Sequence, residues 1–187
     1  MKSKLFVIGK PIKHSRSPII HNFWIEKYSL NARYNKLEVD KTEIKDLIQK
    51  VRDGKIKGLN ITIPYKKIII DFVDEVEESA SRSNAINTVY RVKDKIVGAN
   101  TDGIGFISSL KKDLSFNINS NTNVVCIGAG GAAYGIVSSL IDLNPNVIRI
   151  INRTKLSGIK LIKHFEKFSQ SRTIFETTLL GSNLINE

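Results

Sequence analysis

The chain has 187 residues, of which 41% are hydrophobic and 25% are charged, and its formal net charge is +11. A chain of this length and composition folds as one domain or two small ones without a metal or disulfide staple, which excludes wholesale disorder. Its basic residues are scattered in short groups without interleaved aromatic rings, a pattern typical of solvated surfaces rather than of a nucleic-acid interface.

The single cysteine and the N-terminal sequence indicate in which cellular compartment the protein is expected. Cys126 lies in an apolar run and has no second cysteine to pair with, which favours a buried structural thiol in a reducing compartment. The apolar stretch at residues 5–8 is too short for a signal-peptide core, and no run approaches the roughly 20 apolar residues of a membrane span. We therefore expect a cytoplasmic protein without a membrane partner.

The first hundred residues alternate short apolar runs with segments of helical period, which predicts βα units. Ser17 and Pro18 suit the N-cap and the first position of one helix, and Thr42 suits the N-cap of another. In chain order we expect a strand at 5–9, a helix from 17 to about 29, a strand at 33–39, a helix at 42–52, a strand at 58–62, a polar helix at 74–81, and a hairpin of 85–91 with 95–99.

A linking helix at 103–112 and a polar Asn/Ser-rich connection at 115–123 come next, and the connection is a candidate boundary. The elements expected after it are a strand at 124–127, a helix to about 143, a strand at 147–151, a helix to about 168 and a strand at 172–175. Residues 182–187 resemble the start of another strand. A full dinucleotide-binding fold has about six strands, so this pattern predicts roughly half of one.

A glycine-rich turn stands between the strand at 124–127 and the helix that follows it. Its sequence is Gly128-Ala129-Gly130-Gly131-Ala132-Ala133. Gly128 permits a tight turn, Gly130 lets the backbone approach a pyrophosphate, and Ala133 takes the close-packing position. The helix N-terminus then offers N–H groups and a partial positive charge to phosphates. We expect Gly128, Ala129, Gly130, Gly131 and Ala132 to bind a dinucleotide, the alternative being a turn that binds nothing.

The end of the next strand distinguishes between the two nicotinamide cofactors. NAD sites usually place an acid there for the ribose 2′-hydroxyl, whereas this chain has Asn152-Arg153-Thr154. A guanidinium binds a 2′-phosphate through a planar fork of donors, so the three residues favour NADP. Arg153 as an ordinary exposed residue at a helix start is the alternative.

Four further motifs precede the glycine turn. They are Gly9 to Pro18 with His21-Asn22, Asn60 to Lys66, Asn87-Thr88, and Gly98 to Gly103. Together with the two nucleotide motifs, they resemble those of shikimate dehydrogenases in kind and order, over essentially the whole chain. The resemblance implies an α/β architecture of two lobes. An N-terminal substrate domain (1–103) would precede a Rossmann-type NADP-binding domain (104–187) whose C-terminal half is incomplete.

The resemblance also assigns the substrate contacts. Shikimate is a hydroxylated cyclohexene carboxylate, so its site needs donors for a carboxylate and partners for ring hydroxyls. Ser15 and Ser17, two residues apart near a helix start, can hold the carboxylate, although a plain N-cap is an even alternative for Ser17. Asn60, Thr62 and Asn87 would bind the ring hydroxyls. His21 is expected to pack or cap rather than to act in catalysis.

Lys66 and Asp102 form the catalytic pair that the resemblance implies. Interconversion of a ketone and an alcohol requires a proton to be delivered or removed at the reacting oxygen. Lys66 would move this proton and stabilise negative charge on the oxygen. Asp102 would orient the ammonium group and bind a substrate hydroxyl.

The implied activity is reversible, NADPH-dependent reduction of 3-dehydroshikimate to shikimate, in the pathway to chorismate and the aromatic amino acids. A relative that uses quinate or NAD, and a truncated, non-catalytic chain that still binds shikimate, are the alternatives. A homodimer is compatible with the sequence. Three positions depart from the family pattern: Tyr134 stands near the phosphates where an arginine is frequent, Asn84 replaces a common glycine, and Ala99 replaces a larger or polar residue.

Overall fold

The computed structural model of the chain describes residues 2–168 and 173–179. The chain divides into two compact units, Met1–Asn100 and Thr101–Glu187. The strand expected at 182–187 and the first residue of the strand expected at 172–175 lie outside the described residues. The connection at 115–123 falls inside the second unit.

The first unit is an α/β fold around a six-stranded sheet. Its elements are β1 (Ser3–Gly9), α1 (Ser17–Lys27), β2 (Ala32–Glu38), α2 (Ile44–Arg52), β3 (Gly58–Ile61), β4 (Glu75–Val76), α3 (Glu78–Ser83), β5 (Thr88–Val92) and β6 (Lys95–Ala99), with short 3-10 helices at Lys41–Glu43 and Ile68–Phe72. The sheet order is β2-β1-β3-β5-β6-β4. β1 runs parallel to β2 and β3, whereas β5 is antiparallel to β3 and β6.

The core of the first unit follows from the apolar stripe of α2. Ile44, Leu47, Ile48 and Val51 recur at helical spacing, and all four are buried. This spacing places them on one face of the helix, where they join residues of β1 and β3 in a single hydrophobic cluster. The hydrophobic core therefore supports β1 and β3 up to the ends where the polar motifs begin.

Two predicted N-caps are wrong, although α1 begins at residue 17 as expected. The helix at α1 starts with Ser17 as its first residue, and Arg16 takes the N-cap without a side-chain bond. The N–H of Ser17 donates instead to the Ser15 hydroxyl, at 3.3 Å. Thr42 is not a cap either, because Asp40 and Glu43 form a capping box before α2, in which the Asp40 N–H donates to the Glu43 carboxylate at 2.7 Å.

The start of the polar helix predicted at 74–81 is also wrong. Residues 75–76 form β4, and the helix begins only at Glu78. Asp74 explains the difference, because its N–H donates to the carbonyl of Ile96 and its carboxylate accepts the Ile96 N–H at 2.6 Å. The same carboxylate receives both terminal nitrogens of Arg52, at 2.8 and 2.9 Å. These tertiary bonds hold the segment extended beside β6.

The second unit is built on a parallel three-stranded sheet. Its elements are α4 (Asp102–Asp113), β7 (Asn123–Ile127), α5 (Gly131–Ile141), β8 (Val147–Asn152), α6 (Lys155–Glu166) and β9 (Ile174–Leu179). The strand order is β7-β8-β9, which matches one half of the Rossmann order. Across the described ranges, no helix is long and apolar enough to cross a membrane.

The core of the second unit lies between the sheet and its helices. Val137, Leu140, Ile148, Leu161 and Phe165 are almost fully buried in one cluster. Cys126 is half-buried and packs against this cluster, as expected of a structural thiol. Burial raises the pKa of its thiol, which favours the protonated form.

Candidate active site

The first two predicted substrate motifs meet where β1 and β3 end. These parallel strands are neighbours, so their carboxyl ends lie at the same edge of the sheet. The Thr62 N–H donates to the carbonyl of Ile8 at 2.9 Å, and the Lys10 N–H donates to the carbonyl of Ile63 at 3.0 Å. Backbone bonds thus hold the motif that begins at Gly9 against the motif at 60–66.

The third and fourth motifs join the second in the same way. The Ile61 N–H donates to the carbonyl of Asn87 at 2.8 Å, and the Ile86 N–H donates to the carbonyl of Lys66 at 2.7 Å. The Asn87 N–H in turn donates to the carbonyl of Ala99 at 3.0 Å. The backbones of Lys66 and Asn87 are therefore fixed in adjacent segments, although 20 residues separate them in the chain.

Two of the three side chains predicted to bind ring hydroxyls, those of Asn60 and Asn87, belong to one hydrogen-bonded network. The Tyr34 hydroxyl donates to Oδ1 of Asn60 at 2.7 Å. Nδ2 of Asn60 lies 3.2 Å from both the Asn87 carbonyl and Oγ1 of Thr88. Oγ1 of Thr88 donates to Oδ1 of Asn87 at 2.9 Å. Asn60 and Asn87 are thus brought together, with Thr88 as the bridge.

Sequence reasoning gave no role to Tyr34 and no separate role to Thr88. Tyr34 is the buried residue in the middle of β2, and this strand belongs to none of the sequence motifs. Thr88 is part of the Asn87-Thr88 motif, but only the structure shows that its hydroxyl links two amides. Neither function could be derived from spacing along the chain.

His21 and Asn22 both serve to hold Tyr34. The imidazole stacks on the Tyr34 ring, with ring centroids 4.1 Å apart and an interplanar angle of 12°. Burial lowers the pKa of His21, so the ring favours its neutral form. Asn22 donates to the Tyr34 carbonyl at 2.8 Å and accepts the Tyr34 N–H at 3.0 Å. His21 therefore packs, as expected.

Ser15 and Ser17 are brought together at the start of α1. The Ser15 hydroxyl donates to Oγ of Ser17 at 3.2 Å, and both side chains are half-buried. The first turn of α1 carries no acidic residue. Two hydroxyls beside the positive end of a helix dipole favour an anion such as a carboxylate.

Lys66 and Asp102 belong to different units of the chain. Lys66 is half-buried in the first unit, and Asp102 is the half-buried first residue of α4, at the start of the second unit. Thr62, also half-buried, lies just after β3. The pairing of Lys66 with Asp102 stays a prediction.

The glycine turn has the geometry of a phosphate-binding loop. Gly128 adopts φ +110°, which favours glycine, and its N–H donates to the carbonyl of Ile151 at 2.7 Å. Gly130 is the N-cap of α5, which begins at Gly131. Beyond the two chain neighbours of each glycine, no atom of the described residues comes within 4 Å of the position that a Cβ would take at Gly128 or Gly130. The turn therefore leaves open space beside a helix N-terminus, as a pyrophosphate requires.

The segment Asn152-Arg153-Thr154 begins at the last residue of β8, beside this turn. β7 and β8 are paired up to Ile127 and Ile151, so their carboxyl ends are adjacent. The Asn152 side chain donates to the carbonyl of Thr154 at 2.9 Å, which braces the segment, and Arg153 is exposed. An exposed guanidinium in this place suits a 2′-phosphate.

Comparison with known proteins agrees with this arrangement. The family model described as the shikimate dehydrogenase substrate binding domain matches residues 7–89. The NADP(+) shikimate dehydrogenase of Pelagibacter ubique is 48% identical over 165 residues, which cover 88% of this chain and 62% of that protein. The corresponding enzyme of Oceanobacillus iheyensis is 35% identical over 197 residues, covering 98% of this chain and 71% of that protein. The chain belongs to the shikimate dehydrogenase family.

A solved shikimate dehydrogenase extends the comparison to three dimensions. The enzyme of Thermus thermophilus, whose structure holds NADP(H) and shikimate, superposes with a TM-score of 0.79 at 28% identity. The superposition covers 92% of this chain and 62% of that one. This member of the family thus spans about 62% of the length of both the Pelagibacter and the Thermus proteins.

The structure shows the surroundings of two residues that depart from the shikimate dehydrogenase pattern. Asn84 ends α3 in the left-handed region, at φ +47°, where glycine is the usual residue and asparagine the next best tolerated. Tyr134 is buried and packs against His164 and Phe165, with ring centroids 5.4 and 5.7 Å away. Its ring contributes to the core of the second unit.

Proposed function

We propose that this chain supplies the substrate site and the first half of the cofactor site of an NADP-dependent shikimate dehydrogenase. The reaction is reversible reduction of 3-dehydroshikimate to shikimate with NADPH, in the cytoplasmic pathway to chorismate and aromatic amino acids. The proposed substrate domain is 1–103 and the proposed NADP-binding domain is 104–187, a boundary that lies three residues after Asn100, the last residue of the first compact unit. The observation that carries the proposal is the joining of all four substrate motifs by hydrogen bonds in a member of this family.

Each part of shikimate has a matching group. The hydroxyls of Ser15 and Ser17 bind the carboxylate at the start of α1. The side chains of Asn60, Thr62 and Asn87 bind the ring hydroxyls. The site thereby presents an anion subsite and several neutral hydrogen-bonding groups, as this hydroxylated acid requires.

The proton transfer is assigned to Lys66. Its ammonium delivers a proton to the ketone oxygen as that oxygen gains negative charge, and its amine removes the proton in the reverse direction. Asp102 orients the ammonium through a charge-assisted hydrogen bond.

The cofactor site fits NADP. The N–H groups at the start of α5, with Gly128, Ala129, Gly130, Gly131 and Ala132, hold the pyrophosphate, and Asn152, Arg153 and Thr154 hold the 2′-phosphate. When bound, the nicotinamide supplies the hydride. Open space at Gly130 and the exposed Arg153 are the structural support for this assignment.

A second candidate is a chain that binds shikimate without reducing anything. It is favoured by the location of Ser15, Ser17, Asn60, Thr62 and Asn87 within the first unit alone. Quinate as substrate and assembly into a homodimer are finer alternatives. Substitution of quinate for shikimate in the assay tests the first of these, and analytical ultracentrifugation tests the second.

The test is NADPH formation by the purified 187-residue chain with shikimate and NADP⁺, followed by absorbance. We expect a steady rise that disappears in Lys66→Ala and persists in the matched control Lys67→Ala, which removes the adjacent, exposed lysine. Shikimate binding without any rise in absorbance would select the second candidate. Absence of both binding and turnover would refute the proposed function.

A further inference from the structure

We propose that Tyr34 is a positioning residue: its hydroxyl fixes the carboxamide of Asn60 so that this amide offers an oxygen, and not its N–H groups, to the substrate. The inference rests on the proposed shikimate site and names the chemistry of one of its contacts. Tyr34 lies in β2, outside every motif on which the family resemblance depends.

The orientation of the Asn60 amide follows from its neighbours. One atom of the carboxamide lies 3.2 Å from the backbone carbonyl of Asn87. A carbonyl oxygen only accepts hydrogen bonds, so this atom must be the nitrogen, Nδ2. The opposite atom is then Oδ1, and the Tyr34 hydroxyl 2.7 Å away must donate to it. The direction of this bond is therefore fixed.

The hydrogen bonds that the Asn60 side chain already makes determine which group it can still offer to a ligand. Nδ2 carries two protons, and its two protein partners are the Asn87 carbonyl and Oγ1 of Thr88, both at 3.2 Å. Oδ1 can accept two bonds, and among the described residues the Tyr34 hydroxyl is the one donor that reaches it. Asn60 therefore offers a ligand one lone pair, which matches a hydroxyl that donates.

This assignment distinguishes the ring hydroxyls that Asn60 can bind from the oxygen that reacts. The reacting oxygen is a ketone in one direction and an alcohol in the other, and a ketone has no proton to donate. An amide oxygen cannot bind both forms equally well. Asn60 therefore holds a ring hydroxyl that stays unchanged in the reaction, and leaves the reacting oxygen to the Lys66 ammonium.

Tyr34 is held firmly enough to serve as such a fixed donor. Its side chain is only 3% exposed, His21 stacks on one face of the ring, and Asn22 binds both backbone groups of the residue. Burial raises the pKa of Tyr34, so the phenol keeps its proton across the working pH range. The donor is thus restrained in position and constant in protonation.

The test begins with Tyr34→Phe in the full 187-residue chain. This variant keeps the ring and its stacking on His21 and removes only the donor. The dissociation constant for shikimate, measured by calorimetry, should rise about 5- to 10-fold, the equivalent of one hydrogen bond of about 1 kcal/mol. The control Tyr90→Phe removes a hydroxyl on β5 that donates to Glu77, outside the proposed site, and should leave the constant within about 2-fold.

A double-mutant cycle distinguishes positioning from a general loss of packing. If Tyr34 acts through Asn60, Tyr34→Phe should have no further effect on shikimate affinity in an Asn60→Ala background. An equal effect in both backgrounds would overturn the proposal.

A readout without ligand separates this proposal from the proposed function. The side-chain NH₂ resonances of Asn60 should shift and broaden in Tyr34→Phe and not in Tyr90→Phe. If wild-type protein fails to bind shikimate, the proposed function fails, and these resonances still decide whether Tyr34 fixes the amide. Unchanged Asn60 resonances in Tyr34→Phe would overturn the positioning role.

Discussion

Replacement of Gly103 with alanine should force apart two helices of the second unit. Gly103 is the second residue of α4, and the position of an added Cβ lies 2.1 Å from Oγ of Ser139 and 2.4 Å from the carbonyl oxygen of Gly135 in α5. The serine hydroxyl can rotate away, but the backbone carbonyl cannot. The helices would have to separate by about 1 Å to restore ordinary contact.

The energetic cost follows from this overlap. Overpacking of a tight contact costs about 1–3 kcal/mol, and a backbone clash belongs to the upper part of that range. Alanine recovers at most about 1 kcal/mol of helix propensity, and less in the first turn. We therefore expect Gly103→Ala to lower the free energy of unfolding by about 2 kcal/mol.

The same helix provides a matched control for this experiment. Outside its chain neighbours and the backbone of its own helix, no described atom lies within 4 Å of the Cβ position at Gly105, so Gly105→Ala should be neutral or stabilise by up to about 1 kcal/mol. Urea unfolding followed by circular dichroism measures both variants. Equal stabilities for Gly103→Ala and Gly105→Ala would refute the packing argument.

Three other predictions concern the cofactor site and His21. Gly130→Ala should leave stability unchanged, since its Cβ meets open space, yet weaken NADP⁺ binding by at least about 10-fold because the methyl group occupies the pyrophosphate position; calorimetry that shows unchanged affinity would contradict the assignment of the turn. Arg153→Ala should weaken NADP⁺ about 10- to 100-fold, the loss of a charged hydrogen bond, and NAD⁺ less than about 3-fold; equal losses for both cofactors would exclude a 2′-phosphate contact. Burial lowers the pKa of His21 from 6.5, so the unfolded chain binds the proton more readily, and stability that is fully present above about pH 6.5 declines as the pH falls below it. In urea unfolding at a series of pH values, wild type should therefore lose stability relative to His21→Phe as the pH falls from about 8 to about 5.5. A constant difference in the free energy of unfolding between the two proteins would show that burial does not lower the pKa of His21.

Elements with strong local signals could be predicted from the sequence. The stripe of α2, the glycine turn before α5 and the hairpin of β5 and β6 each depend on neighbours within a few residues. The prediction failed where distant partners decide the structure. Asp74 is extended because Arg52 and Ile96 bind its carboxylate, and no local pattern reveals those partners.

The candidate site divides along the same line. Asn60 and Asn87 could be proposed as site residues from their motifs, because the family resemblance carries them. The role of Tyr34 could not be predicted, because it depends on a hydrogen bond from its hydroxyl in β2 to the side chain of Asn60 in β3. His21-Asn22 stood in a recognisable motif, but the reason for the pair, which is to hold Tyr34, is visible only in three dimensions.

The central claim is that the first unit binds shikimate through the joined motifs. Titration of the ¹⁵N-labelled chain with shikimate, followed by NMR, tests it residue by residue. We predict saturable shifts at Ser15, Ser17, Asn60 and Asn87, with the remainder of the first unit largely unchanged. Absence of shifts at these residues, or saturable shifts confined to another surface, would contradict the account.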